Sequence, residues 1–204
     1  MSTAEQRISP AEYLAIERAS QEKHEYFNGE MFAMTGASRK HNAISGNLVR
    51  RLLNGFEGGP CEAWNSDLRV KASQTGLYTY PDVIVGCDEP QFEDEHFDTL
   101  LNPRVIIEIL SPSTEAYDRG EKFEHYRRVD SVQEYLLVAQ NRVHIEHFRR
   151  DSDGGWKFHE TEKLTGEIRL ESVSCLLRVS DIYARVQFDE PTAKGEPDSK
   201  DEGE

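Results

Sequence analysis

Residues 104–110, RVIIEIL, are the most informative stretch of the sequence because they place an acid in the middle of a strand of large apolar side chains. Side chains alternate between the two faces of a strand, and on its own face Glu108 lies between Ile106 and Leu110. The strand is therefore predicted to be buried on both faces, as a central strand is. An unpaired carboxylate there costs several kcal/mol, so Glu108 requires a proton, a metal ion or a basic partner.

A second acid begins the preceding apolar strand. In YPDVIVG, residues 80–86, Asp82 comes directly before three apolar residues. Two adjacent strands would then present two carboxylates to one Mg²⁺ or Mn²⁺ ion, since both ions prefer oxygen ligands. Each acid also has a structural interpretation. Asp82 could be a turn residue after proline, and Glu108 could be the partner of a nearby lysine or arginine.

A divalent ion held by Asp82 and Glu108 would offset the cost of burying them. It would polarise a phosphate and lower the pKa of a bound water, which then becomes a nucleophile. The backbone carbonyl of Ile109, next to Glu108 in the chain, is expected to be a third oxygen ligand.

The helix predicted over residues 117–129, YDRGEKFEHYRRV, could supply a positive charge. Asp118, Lys122 and Tyr126 recur at four-residue steps and so share one helical face. Lys122 would then pair with Glu108, orient the attacking water and neutralise charge on the phosphate. The ordinary alternative is an exposed lysine on a helix rich in charge.

The rest of the chain mixes helices and short strands. Ser9 and Pro10 predict a helix start with serine as the N-cap, and Asn28-Gly29 predicts a hairpin turn. The predicted segments are helices at about 10–22, 41–56, 117–129 and 180–186, strands at 61–72, 80–87, 104–111, 134–139, 142–150 and 156–164, and a polar connection at 88–103. This order predicts an α/β (α+β) fold with a mixed central β-sheet flanked by helices.

Length and composition favour one domain without a membrane segment. We expect a domain over residues 1–188 and a disordered acidic tail over 189–204, which has no apolar periodicity. No stretch approaches the roughly 18 apolar residues of a membrane span, and the first residues lack a signal-peptide pattern. Cys61, Cys87 and Cys175 are odd in number and form no CxxC. They predict reduced thiols and a cytoplasmic protein.

The net charge argues against broad electrostatic adhesion to nucleic acid. It is −14 for the chain, of which the seven acids and two lysines of residues 189–204 account for −5, leaving −9. The acidic body therefore counts against DNA as a substrate.

The set of motifs resembles one group of nucleases. Pro81-Asp82, followed 26 residues later by Glu108, resembles the PD-(D/E)XK superfamily and, more narrowly, the Uma-type restriction endonuclease family. The resemblance covers about residues 8–187. Its ordered motifs are EYFNGE (25–30), His41, DLRV (67–70), YPDVIV (80–85), EILSPST (108–114), Asp118, Lys122, Tyr126 and EYLLV (134–138).

The resemblance implies a restriction-endonuclease-like core in which Asp82 and Glu108 are catalytic metal ligands and Glu25 is a further catalytic acid. The superfamily pattern places a lysine two residues after the second acid, where this chain has Leu110. In the Uma-type family that lysine is thought to lie on the following helix, which matches Lys122.

Three further residues are candidates for substrate contact. The resemblance marks His41, which would otherwise simply cap the helix that it begins. Ser111, in the turn after the Glu108 strand, could contact a phosphate or cap that turn. Tyr126 shares the helical face of Lys122.

The sequence therefore predicts a Mg²⁺- or Mn²⁺-dependent endonuclease that hydrolyses DNA, with no membrane partner. A homodimer is expected because cutting two strands commonly uses two sites. Two alternatives stay open. One is a catalytically silent binding or assembly module with a nuclease fold, favoured by Leu110 and the acidic charge. The other is a metal-dependent hydrolase of a small phosphorylated substrate, which suits an acidic protein better.

Overall fold

Residues 7–188 are described by a computed structural model. The helices are α1 (Pro10–Ala19), α2 (Arg39–Gly55), α3 (Glu115–Tyr117), α4 (Phe123–Tyr126) and α5 (Val179–Ile182), with a π-helix over Asp118–Lys122 and a 3-10 helix over Glu171–Val173. The strands are β1 (His24–Phe27), β2 (Glu30–Ala33), β3 (Cys61–Asn65), β4 (Arg69–Ala72), β5 (Leu77–Thr79), β6 (Val83–Cys87), β7 (Thr99–Leu100), β8 (Val105–Leu110), β9 (Glu134–Ala139), β10 (Ile145–Arg150), β11 (Trp156–Thr161), β12 (Glu167–Leu170) and β13 (Cys175–Arg178).

Within residues 7–188, no helix combines the length and the apolar content needed to cross a membrane. The tail expected over 189–204 lies outside the described residues.

The larger sheet contains the strand with Glu108. Its strand order is β11-β10-β9-β8-β6-β3, and β8 pairs parallel with β9 and antiparallel with β6. β8 is buried along its whole length because it has a neighbour on each side. The predicted central strand and the predicted mixed sheet are both confirmed.

Different elements cover the two faces of this sheet. On one face, Leu48 of α2 shares a buried apolar cluster with Ile107. On the other face, Tyr126 of α4 shares a second cluster with Ile106 and Leu110. Alternate residues of β8 therefore face opposite layers, and the alternation turns Glu108 toward α4.

A second sheet has the strand order β2-β1-β5-β4-β7, and β12 pairs with β13 in a separate hairpin. Asn28 and Gly29 both have positive φ, 51° and 91°, and they form the predicted turn between β1 and β2. The single strand predicted over 61–72 is wrong. Asn65 Oδ1 accepts a hydrogen bond from Asp67 N–H at 3.1 Å, and this turn sends β3 and β4 to different sheets.

Two of the cysteines form a disulfide, so the prediction of three reduced thiols is wrong. Cys61 and Cys87 are register partners on antiparallel β3 and β6, with Cα atoms 3.9 Å apart. Their spacing in sequence did not reveal this pairing because the strands bring together residues that are 26 positions apart. Cys175 is a buried free thiol. The inference of a reducing compartment therefore loses its basis.

Helix α1 begins with the serine N-cap that its sequence predicts. Ser9 Oγ accepts a hydrogen bond from Glu12 N–H, and the Glu12 carboxylate accepts one from Ser9 N–H at 2.7 Å. The two residues form a capping box, which satisfies two N–H groups that the helix cannot pair internally. The helix ends at Ala19, earlier than the predicted residue 22.

Replacing Ser9 with alanine is expected to lower the free energy of unfolding by about 1 kcal/mol, because the first helical turn loses its acceptor. Ser9→Asn keeps an acceptor and should remain close to the native value. Urea unfolding of the three proteins measures the difference. An equal loss in both variants would show that the hydroxyl stabilises the fold in some other way.

Candidate active site

Asp82, directly before β6, lies beside Glu108 of the neighbouring strand β8. Pro81 has no N–H to donate to the β6–β8 ladder, whose last register pair is Val83 with Ile107. Asp82 Oδ2 accepts a hydrogen bond from Ile109 N–H at 2.7 Å. Asp82 N–H donates to Glu108 Oε2 at 3.3 Å. The two acids are thus joined through the backbone of both strands.

The carbonyl of Ile109 lies on the same edge of β8 as Asp82. The N–H and C=O groups of one strand residue point toward the same neighbour, and Ile109 N–H donates to Asp82. A backbone oxygen therefore lies on the edge of β8 that faces Asp82, and Ile109 lines the cleft.

Lys122 reaches the same acids from the segment after β8. The predicted helix over 117–129 is instead α3, a π-helix and α4, and single π turns are frequent at functional sites. Lys122 Nζ lies near three carboxylate oxygens: 3.3 Å from Glu108 Oε1, 3.1 Å from Glu25 Oε1 and 3.4 Å from Asp118 Oδ1. The side chain is 8% exposed, so the alternative of an exposed lysine is wrong.

Asp118 belongs to this cluster, although its helical face and its place among the family's motifs gave it no predicted catalytic role. Its residue is 2% exposed, and its Oδ1 lies 3.4 Å from Lys122 Nζ. Tyr135 OH donates to the backbone carbonyl of Asp118 at 2.9 Å, which holds the start of the π-helix. The signal that could have identified Asp118 was its four-residue step to Lys122.

Glu25 joins the cluster from β1 of the second sheet. Its Oε1 accepts a hydrogen bond from Thr79 Oγ1 on β5 at 2.5 Å and lies 3.1 Å from Lys122 Nζ. Lys122 is therefore the cation around which acids from both sheets are arranged.

Burial is the largest influence on the pKa values of the two acids Glu108 and Asp118. It raises the pKa of Glu108 well above its usual range, although the Lys122 ammonium opposes the shift, and it likewise raises the pKa of Asp118. Burial alone would lower the pKa of Lys122, but the carboxylates of Glu108 and Glu25 outweigh it and raise that pKa well above the ordinary lysine value. Lys122 therefore stays a cation at neutral pH and cannot act as a base.

His41 contacts Asp82 and does not cap its helix. Helix α2 begins at Arg39, and its N-cap is Ser38, whose Oγ accepts from His41 N–H at 3.1 Å. The imidazole Nε2 lies 3.1 Å from Asp82 Oδ1. The capping alternative for His41 is therefore wrong.

The other two candidates for substrate contact differ in accessibility. Tyr126 is fully buried, and its OH donates to Glu108 Oε1 at 2.9 Å. A substrate cannot reach this ring, so the predicted contact between Tyr126 and substrate is wrong. The hydroxyl of Tyr126 instead holds the Glu108 carboxylate in position. Ser111 is half-buried in the cleft wall, where its Oγ accepts from Thr114 N–H at 3.2 Å. This hydrogen bond is the one expected if Ser111 caps the turn after β8.

The acids and the lysine form the floor of one cleft of about 1210 Å³. We call this group the floor cluster: its members are Glu25, Asp82, Glu108, Asp118 and Lys122, and all of them line the cleft. The walls come from the loop after β2, the start of α2, residues 111–114 and the segment after α5. The convergence that the sequence predicts for four of these residues is present in the structure.

Residues 10–180 match the profile of the family described as "Uma2: Putative restriction endonuclease". The chain belongs to the Uma2 family. The resemblance found in the motifs is therefore confirmed, and the restriction-endonuclease-like class predicted for this Uma2 fold is confirmed with it.

Two proteins of Synechocystis sp. (strain ATCC 27184 / PCC 6803 / Kazusa) are similar to this Uma2 chain over most of its length. "Uncharacterized protein slr1290" is 40% identical over 182 residues, covering 89% of this chain and 94% of that protein. "Uncharacterized protein sll1609" is 36% identical over 161 residues, covering 79% and 91%. Neither description adds an activity.

A crystal structure of "a putative nuclease belonging to DUF820" from Anabaena variabilis ATCC 29413 has a similar fold. The TM-score is 0.66 at 17% sequence identity, and the match covers 80% of this chain and 91% of that one. At this identity the likeness shows the fold alone.

The oxygen atoms of the floor cluster suit a hard divalent cation. Restriction-endonuclease-like families generally use divalent metal ions. Within residues 7–188, no group of three or more His, Cys, Asp or Glu side chains is arranged as a metal cage. Mg²⁺ needs no such cage, because it commonly binds one or two carboxylates and keeps several waters. Asp82, Glu108 and the Ile109 carbonyl therefore fit an ion of this class.

Proposed function

We propose that this Uma2 protein is a metal-dependent endonuclease that hydrolyses phosphodiester bonds of DNA. The observation that carries the proposal is the adjacency of Asp82 and Glu108 beside the buried cation Lys122 at the bottom of an open cleft. A phosphodiester requires positive charge where its own charge develops and a water activated for attack. Membership of a family described as restriction endonucleases supports the same reaction.

Asp82, Glu108 and the Ile109 carbonyl would hold Mg²⁺ or Mn²⁺, with Glu25 as a further acid. When bound, the ion supplies Lewis acidity and lowers the pKa of a bound water. The protein supplies orientation. Ile109 N–H fixes one oxygen of Asp82 at 2.7 Å, and Tyr126 OH fixes one oxygen of Glu108 at 2.9 Å. Ligands held in this way need little rearrangement when a substrate binds.

Lys122 is proposed to be the electrostatic partner of the phosphate. The neighbouring carboxylates keep its pKa high, so its ammonium donates hydrogen bonds and accepts no proton. It would neutralise charge on the phosphate and orient the attacking water. The superfamily pattern has a lysine at the position where this chain has Leu110. Lys122, whose Nζ lies 3.3 Å from Glu108, would supply the same positive charge from the following helix. Its presence argues against the silent-module alternative.

The cleft also bears on the choice between DNA and a small phosphorylated substrate. Sites for small molecules commonly enclose roughly 300–1,000 Å³. The cleft here, at about 1210 Å³, is larger and open at its mouth. It therefore suits a segment of a long chain better than a single nucleotide.

Incubation of the native protein with plasmid, single-stranded DNA and free nucleotides in Mn²⁺ tests the proposal. We expect DNA to be cut in Mn²⁺ or Mg²⁺ and to remain intact in EDTA. Hydrolysis of nucleotides alone would favour the small-substrate alternative. Metal binding without turnover of any substrate would favour the silent module, and either result would overturn the proposed function.

Mn²⁺ is expected to raise the stability of the native protein, because an ion that binds only the folded state stabilises it by about 2.7 kcal/mol at a hundredfold excess over its Kd. Asp82→Asn should weaken this shift. Without metal the variant should be as stable as the native protein or more stable, because one of the clustered negative charges is gone.

Thermal melts of both proteins across a Mn²⁺ titration measure these effects. If Asp82 served only as an ion-pair partner of His41, the variant would be less stable with and without metal. Absence of a metal-dependent shift in the native protein would contradict the metal site.

A further inference from the structure

We propose that a basic rim around the cleft mouth binds a single strand of nucleic acid, with Arg39 and Arg185 contacting phosphates and Phe32 stacking on a base. This inference rests on the proposed function of the cleft and narrows its substrate. It explains how a chain with a net charge of −14 can engage a polyanion.

Positive and negative charge are separated within the cleft. Among the described residues that line it, every acid belongs to the floor cluster, whose members are mostly buried. The remaining lysine and arginine side chains define the basic rim, and they are Lys23, Arg39, Lys40 and Arg185. Arg39 and Arg185 are exposed, so a strand that enters the cleft meets cations before it meets the acids.

Arg185 lies in a turn with unusual backbone geometry. Its φ is 65°, a left-handed conformation that residues with a side chain seldom adopt. Asn47 of α2 holds this turn, because its Nδ2 donates to the carbonyls of Ile182 at 3.0 Å and Ala184 at 2.9 Å. Such conformations persist where neighbouring structure enforces them, and they cluster at ligand sites. The match to the family ends at residue 180, so Arg185 lies outside it.

Arg39 is the first residue of α2, a helix of 17 residues. The positive end of the helix dipole acts on the same part of the cleft as the exposed guanidinium. Lys23, by contrast, pairs with Asp67 at 2.5 Å, which neutralises part of its charge. The argument for phosphate binding therefore rests on the two arginines.

Phe32 favours a single strand over a duplex. It lies on β2, the edge strand of the second sheet, where its side chain lines the cleft and is 48% exposed. Proteins that bind single strands combine a basic groove along the backbone with exposed aromatic rings on which bases stack. The bases of a duplex already stack on each other, so they have no free face to offer Phe32.

Fluorescence anisotropy tests the proposal, with a labelled single-stranded oligonucleotide and the same strand in a duplex. The titrations are made in EDTA, so that cleavage does not interfere. We expect the single strand to bind more tightly. Arg39→Gln and Arg185→Gln should each weaken its binding about fivefold near 0.1 M salt and reduce the salt slope by about 0.7. Phe32→Ala should weaken it about fivefold or more.

Arg50→Gln is the matched control. Arg50 is an exposed arginine on the same helix as Arg39, and it does not line the cleft. The variant removes the same charge and should bind like the native protein. Equal affinity for single strand and duplex, or rim variants that behave like Arg50→Gln, would overturn the proposal.

The cleavage assay separates this proposal from the proposed function. A native protein that cuts DNA while the rim variants bind normally refutes the rim and leaves the endonuclease. A native protein that binds single strands through the rim but cuts nothing refutes the endonuclease and leaves the rim.

Discussion

The Asp82→Asn protein is expected to cleave DNA roughly 10³-fold more slowly than the native protein in Mn²⁺. The negative charge of a carboxylate that binds the metal contributes several kcal/mol to the stabilisation of the transition state. A difference of about 1.4 kcal/mol corresponds to a factor of ten in rate. The asparagine carbonyl can still accept the hydrogen bond from Ile109 N–H that Asp82 Oδ2 accepts at 2.7 Å. The substitution therefore removes a charge with little change in the strand end.

Initial rates of plasmid nicking measure this effect. Asp130→Asn is the control, because Asp130 is an exposed acid that does not line the cleft, and its replacement removes the same charge. We expect native activity for Asp130→Asn. Near-native activity for Asp82→Asn would rule out Asp82 as an essential metal ligand.

Lys122→Met is expected to lose about 3–5 kcal/mol of unfolding free energy in EDTA, because removal of one partner leaves buried opposite charges without compensation. Lys122 Nζ is within 3.4 Å of carboxylate oxygens of Glu108, Glu25 and Asp118. Urea unfolding of the native and variant proteins measures the loss.

The loss of unfolding free energy caused by Lys122→Met should grow as the pH rises. Burial raises the pKa of Glu108 and of Asp118, and the Lys122 ammonium opposes both shifts, so its removal raises both pKa values further. A carboxyl whose folded pKa exceeds its unfolded value stabilises the folded state below the unfolded pKa, and this contribution is lost as the pH rises through the folded pKa. The difference between native and variant should therefore be smallest below about pH 4 and largest at neutral pH.

The double variant Glu108→Gln/Lys122→Met separates charge from packing. It removes both members of the 3.3 Å pair, so it should recover part of the stability that Lys122→Met loses. A loss that is the same at every pH, with no recovery in the double variant, would attribute the effect of Lys122 to the packing of its alkyl chain.

Local sequence patterns are enough to predict which strands are central and which acids are anomalous. A nearly continuous run of apolar residues in β8 is enough to predict burial on both faces, and an acid within that run is visible without any coordinates. The Ser9 cap and the Asn28-Gly29 turn were also readable, because both depend on hydrogen bonds and backbone angles within a few residues. Lys122 could be predicted as a partner of Glu108 only through its helical step and the family resemblance.

The partners of these residues depend on how distant segments of the chain pack together. Pairing of β3 with β6 brings Cys61 to Cys87, and the meeting of the two sheets brings Glu25 to Lys122. Tyr126 shares a helical face with Lys122, yet the apolar layer buries its ring completely. Periodicity specifies the direction of a side chain relative to its own strand or helix. Its neighbours, its exposure and its pKa depend on distant segments that pack against it, and therefore on the fold as a whole.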